Sequence, residues 1–206
     1  LRPRPFIWVL LLGCILAYPL APAVSSPSGD KRDYILVINT YAESTPWSRG
    51  IITDITARVE QIENLELYTE HINLLLVDSP REIETFETNL LREYGKKPPR
   101  ALVLIGTPTA LLRNFINSIW KGIPTIVCAE QDFVGPDKYY QKRLPIPASE
   151  QVPLRTLADR DNLTLLYSPA YLDQSIDLMK RILPGMDRLI FIDDARYGNR
   201  QTEHDL

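Results

Sequence analysis

The chain has 206 residues, 45% of them hydrophobic and 24% charged, which suits one folded domain and excludes a disordered polyelectrolyte. Its 23 Lys+Arg stand against 26 Asp+Glu for a net charge of −3, so composition offers no basic footprint for nucleic acid. Two Cys and two His, without ligand spacing, exclude a Cys/His zinc module and a disulfide scaffold.

The N-terminus reads as an address. Arg2 and Arg4 precede an uncharged run from Phe6 to Tyr18, the length of a signal-peptide core and short of the roughly 20 residues of a membrane-spanning helix. Ala21-Pro22-Ala23 puts small residues at the two positions a signal peptidase reads. Cleavage after Ala23 is therefore expected, and Pro19 and Pro22 argue against an uncleaved anchor helix. Leu12-Gly13-Cys14 is similar to the end of a lipoprotein signal, but apolar Ile15-Leu16-Ala17 follows where such a signal turns polar. Residues 1–23 are assigned as signal peptide and 24–33 as a Ser/Pro/Gly linker. Cys128 is then the single cysteine of the exported chain, so no internal disulfide supports the fold.

Tyr34–Thr40 is a continuous apolar run, as in a parallel strand covered on both faces. A helix starts near Pro46 or Trp47, with Ile51, Ile52, Ile55, Val59 and Ile62 on one face. Leu65–Val77 carries the second strand, Leu74–Val77 being its most apolar part or a short extension. Asp78-Ser79-Pro80 is a capping residue followed by Pro at the first helical position. Ile83, Phe86, Leu90, Leu91 and Tyr94 mark the buried face of the helix it opens, and Gly95 ends it. Ala101–Ile105 is the third strand. Gly106-Thr107-Pro108 repeats the cap-then-Pro device before a helix with Leu111, Leu112, Phe115, Ile116 and Ile119 on one face. Ile123–Ala129 is the fourth strand. Between Glu130 and Asp161 no clean period survives, and Pro136, Pro145, Pro147 and Pro153 interrupt the stretch. Tyr171–Leu183 returns to helical spacing, Pro184-Gly185 stops it, and Arg188–Ile192 reads as a further buried strand. The alternation implies right-handed crossovers and an α/β fold with a doubly wound parallel sheet.

Ligands of such sheets sit outside the carboxyl ends of the strands. Three loops qualify: Tyr41–Trp47, Gly106-Thr107-Pro108, and Ala129–Asp132. Each also has a plainer reading. Thr107 serves equally as a helix cap, Trp47 as packing at its helix's start, and Glu43, Glu130 and Asp132 as solvated acids. No G-x-G-x-x-G follows the first strand, and neither G-x-x-x-x-G-K-[ST] nor G-x-S-x-G occurs. His71 sits among strand residues and reads as a packing or hydrogen-bonding group, and His204 lies near the C-terminal end without a partner. Cys128 reads as a small core hydrophobe. Asp193-Asp194 suits a solvated turn better than a cation site. No catalytic group, metal set or cofactor motif stands out.

Tyr34-Ile-Leu-Val-Ile-Asn-Thr-Tyr-Ala-Glu-Ser-Thr-Pro-Trp47 resembles the opening of the extracytoplasmic sensor domains of bacterial histidine kinases. Those domains are related to the ABC-transporter substrate-binding family, with a type I periplasmic-binding-protein fold. Ala101–Ala110 is similar to a second signature of that family, and Gly122–Ala129 to a third. Asn162–Thr164, then Tyr171–Pro184 and Arg188–Asp194, look like the crossover into a second lobe and that lobe's first helix and strand. Leu165 stands where the family often has Gly.

The resemblance implies a first ligand-binding lobe at 34–161 and a truncated crossover and second lobe at 162–206. It further implies that the sequence, stopping at Leu206 just where another helix should begin, is an N-terminal fragment; opening on Leu1 rather than Met, it is also expected to lack the start of its reading frame. Tyr41, Glu43, Trp47, Thr107 and Glu130 are carried over as cleft contacts by position in matching loops. The expected function is a small-molecule-binding sensor domain of a two-component signalling protein, in the periplasm or on the extracytoplasmic face of the inner membrane. This part is not itself an enzyme, although its parent chain would be a membrane-anchored histidine kinase. The alternatives are a solute-binding protein of an ABC transporter and an exported α/β enzyme. The expected partner is a small-molecule ligand with no cofactor and no nucleic acid; a homodimer is compatible with this reading.

Overall fold

A computed structural model describes residues 32–73, 77, 79–107, 112–142, 144–158, 162–168 and 171–190. In chain order these form β1 (Asp33–Asn39), α1 (Pro46–Val59), β2 (Leu65–His71), α2 (Pro80–Tyr94), β3 (Ala101–Ile105), α3 (Arg113–Ile119) and β4 (Thr125–Ala129). There follow β5 (Phe133–Val134), α4 (Asp137–Lys142), β6 (Val152–Pro153), α5 (Leu154–Ala158), β7 (Leu163–Tyr167) and α6 (Leu172–Ile182). Five strands make one parallel sheet in the order β2-β1-β3-β4-β7, while β5 and β6 form a short antiparallel ribbon. The α/β class and parallel sheet expected from the alternating pattern are therefore present.

The central strands are apolar along their middles, with polar residues at the ends of β1 and the start of β4, because both of their faces are covered. On one face Leu36, Ile38, Leu102, Leu104, Val127 and Ala129 pack with Leu90 of α2, Ile116 of α3, and Leu154 and Leu157 of α5. On the other face Val37, Val103, Ile105 and Cys128 pack with Trp47, Ile51, Ile52 and Ile55 from α1. Burying each large aliphatic side chain contributes about 1.5–3 kcal/mol, and successive residues of one strand feed both cores. This split of helices matters for function. The strand order reverses direction between β1 and β3, and the helices change face at the same point.

Pro46 and Pro80 each occupy the first turn of their helices, after Thr45 and Ser79. Neither Thr45 nor Ser79 makes a side-chain cap hydrogen bond, so proline's fixed φ sets these starts.

Several expectations are revised. The second strand ends at His71 rather than running to Val77: Ile72 N–H makes the last ladder bond to β1, at the Asn39 carbonyl, and Ile72 and Asn73 are no longer strand. Residues 74–76 and Leu111 lie outside the described residues. The stretch 130–161, read as aperiodic, contains β5, α4, a 3₁₀ turn at Ala148–Glu150, β6 and α5. A small core of Tyr140 and Ile146, with Phe133 and Tyr139 against it, holds part of this stretch. From Leu163 the chain adds β7 to the same sheet, beside β4. Residues 188–190 are not a strand: Leu189 and Ile190 are exposed, and among the described residues no strand pairs with them; Phe191 and Ile192 lie outside the described residues. Asp193, Asp194, His204 and the N-terminal segment 1–31 lie outside the described residues. Among the described residues no helix is long and apolar enough to cross a membrane.

Candidate functional site

The reversal between β1 and β3 is a topological switch point, and open α/β sheets form their ligand crevices at the carboxyl ends of the strands there. The loop after β1 and the loop after β3 are bound together at that point. Thr40 N–H and Thr40 Oγ1 both donate to the Ile105 carbonyl, at 3.0 and 2.9 Å, and Gly106 N–H donates to the Cys128 carbonyl at 2.8 Å. Tyr41 is thereby held over the sheet edge, 8% exposed, with its ring edge-on to Trp47 at 5.7 Å between centroids.

Across the switch point the Tyr41 hydroxyl donates to Glu130 Oε2, joining the loops after β1 and β4. Burial pushes the Glu130 carboxyl above the ordinary carboxylate range, and the hydrogen bond from Tyr41 offsets that only in part. Burial also drives the Tyr41 phenol upward, with the neighbouring Glu130 charge adding to it, so Tyr41 remains a donor at neutral pH. Thr107 is buried, and its Oγ1 accepts from Gln131 N–H at 3.2 Å. It thus ties the loop after β3 to the residue following Glu130. Thr107's plainer role as a helix cap concerns residues 108–111, which lie outside the described ones.

Four of the five expected contact residues, Tyr41, Trp47, Thr107 and Glu130, therefore belong to one connected cluster. Trp47 takes part in it while also packing against the core, so its two readings coincide. Glu43 is exposed and lines a separate groove of about 650 Å³ with Ser44, Arg49, Ile52, Thr69 and His71. A smaller pocket of about 330 Å³ opens between α3 and the β5–α4–β6 stretch, lined by Arg113, Val134, Asp137, Val152 and Leu157 among others, and contains none of the five. Among the described residues no three His, Cys, Asp or Glu side chains are grouped for a metal. Cys128 is buried, and burial raises its thiol pKa, which suits an inert core group.

Sequence reasoning missed Asn39, Arg49 and the setting of His71. Asn39 is fully buried at the end of β1, where its Oδ1 accepts from Tyr41 N–H at 3.1 Å. Its Nδ2 lies 3.0 Å from His71 Nδ1 and also reaches the Tyr41 carbonyl and Ser48 Oγ, at 3.3 and 3.4 Å. One signal was available: a lone amide closing an otherwise apolar central strand has to satisfy its polar atoms at the sheet edge.

Glu130 gives a pH-dependent prediction. Because its folded carboxyl binds a proton more readily than in the unfolded chain, Glu130 costs no stability below the ordinary carboxylate pKa. The penalty sets in as pH rises above the ordinary carboxylate pKa and grows until the pH has passed the raised folded value. Glu130→Gln keeps an acceptor for Tyr41 and removes the charge. It should raise the melting temperature at pH 7 and change it little near pH 4. An equal change at both pH values, read by thermal unfolding, would contradict this account.

No family model matches the chain, and no curated protein matches it.

Proposed function

We propose that this chain is a ligand-binding lobe of an extracytoplasmic sensor, taking up a small polar molecule at the β1/β3 switch point without catalysing its conversion. The observation that carries this reading is the Tyr41–Glu130 hydrogen bond across that switch point, with Trp47 packed on Tyr41. It holds an aromatic wall and a carboxylate, kept at a cost in stability, where a ligand crevice forms. The resemblance of residues 34–47 to sensor domains of histidine kinases, and the signal-like segment 1–23, support an extracytoplasmic place in a two-component system. A second lobe would close over the ligand, and the shift in population toward the closed form would be the signal. An ABC-transporter solute carrier shares the binding step and differs in what the closed form touches.

The test is a screen of small polar metabolites by tryptophan fluorescence and thermal unfolding. A saturable ligand that raises the melting temperature is expected. Trp47→Phe should weaken its binding roughly tenfold, while lowering the free chain's melting temperature by only about 2–4 °C, the shift expected from about 1 kcal/mol. Unchanged affinity would make Trp47 a packing residue only. Turnover of a bound compound, lost in Glu130→Gln, would replace the sensor reading with that of an exported enzyme.

A further inference from the structure

The groove beside the switch point has a fixed hydrogen-bond polarity. Tyr41 N–H can only donate, so it fixes the Asn39 amide with Oδ1 toward it and Nδ2 toward His71. Nδ2 can only donate in turn, so His71 Nδ1 accepts and the ring proton resides on Nε2. Asn39 is fully buried and also tied to Ser48, so this tautomer is imposed from within the sheet. His71 itself is exposed and lines the groove, and its other ring nitrogen is a standing N–H donor.

Arg49 lines the same groove and spends one guanidinium N–H on the Ser44 carbonyl at 3.4 Å. A guanidinium and an imidazole N–H on one groove match the two oxygens of a carboxylate. Glu43 on the same groove adds an acceptor, and Ile52 supplies an apolar wall. Donors for a carboxylate, an acceptor for a neighbouring amino or hydroxyl group and an apolar surface together describe one compound class.

We infer that the Arg49–His71 groove binds the carboxylate of a small 2-amino or 2-hydroxy acid, with Asn39 as the positioning residue that keeps His71 a donor. This assignment goes beyond the binding reading above and gives the groove beside the Tyr41–Glu130 cluster its own ligand class.

The test uses the full chain labelled with ¹⁵N-histidine, which contains two imidazoles, distinguished by a His204→Gln variant. In the free chain the His71 spectrum should show Nδ1 as an acceptor and the proton on Nε2. L-Leucine or L-lactate should shift the Nε2 resonance, whereas leucinamide and lactamide, which lack the carboxylate, should not. Arg49→Gln should weaken the response roughly tenfold, as expected for one lost charge-assisted bond, and leave the tautomer unchanged. A proton on Nδ1 in the free chain, no response to either acid, or equal responses to acids and amides would each overturn the inference. The fluorescence screen separates this from failure of the binding reading. A ligand that moves the tryptophan signal and not His71 refutes the carboxylate groove alone; no ligand by either readout refutes both.

Discussion

Gly106→Ala is expected to remove roughly 3–5 kcal/mol of stability, combining positive-φ strain with overpacking. Gly106 adopts φ 99°, a conformation L side chains rarely hold. A Cβ there would overlap Thr40 Oγ1 and approach Tyr41 Cε2 to 2.9 Å. Thr40 cannot yield cheaply, since its hydroxyl and its N–H both bind the Ile105 carbonyl. Tyr41 cannot move without releasing Glu130 and Trp47. The substitution therefore strikes the contact that seals the switch point, and ligand binding should fall with stability. Equilibrium urea unfolding measures the loss; a change below about 1 kcal/mol would show that the two loops part easily.

Asn39→Ala should cost roughly 2–4 kcal/mol, because it leaves buried polar groups without partners and does not merely delete a favourable bond. Tyr41 N–H and Ser48 Oγ both lose the amide. Ser48 keeps its 3.3 Å bond to the Thr45 carbonyl, so the helix start survives while the turn at Tyr41 loosens. The same variant frees His71 to exchange its ring proton between nitrogens, which the ¹⁵N spectrum reads independently of stability. Full stability together with an unchanged His71 tautomer would show that water or backbone replaces the amide.

These two residues mark the border between what was legible in the chain and what was not. The runs at 34–40, 101–105 and 123–129 announced central strands, since burial on both faces demands apolar residues throughout. Pro46 and Pro80 announced helix starts, because a locked φ acts locally. β7 escaped notice: at the sheet edge only Leu163 and Leu165 pack inward, while Leu166 and Tyr167 remain exposed. In the run Arg188–Ile192 an apolar stretch suggests a strand, but its described part, residues 188–190, takes no strand conformation. The elements between 130 and 158 are too short to carry a period, and their stability comes from contacts such as Tyr140 with Ile146.

The sequence by itself determined the α/β class, the central strands and the loops that would stand at their carboxyl ends, because hydrophobic periodicity and proline geometry are local properties. Only the tertiary structure decided which loops meet. Tyr41 reaches Glu130 across 89 positions and Asn39 reaches His71 across 32, through a strand order and register that no local pattern encodes. The physical reason is that parallel pairing sets neighbours by backbone hydrogen bonding between distant segments, so side chains at the sheet's edge acquire their partners only when the whole sheet is assembled.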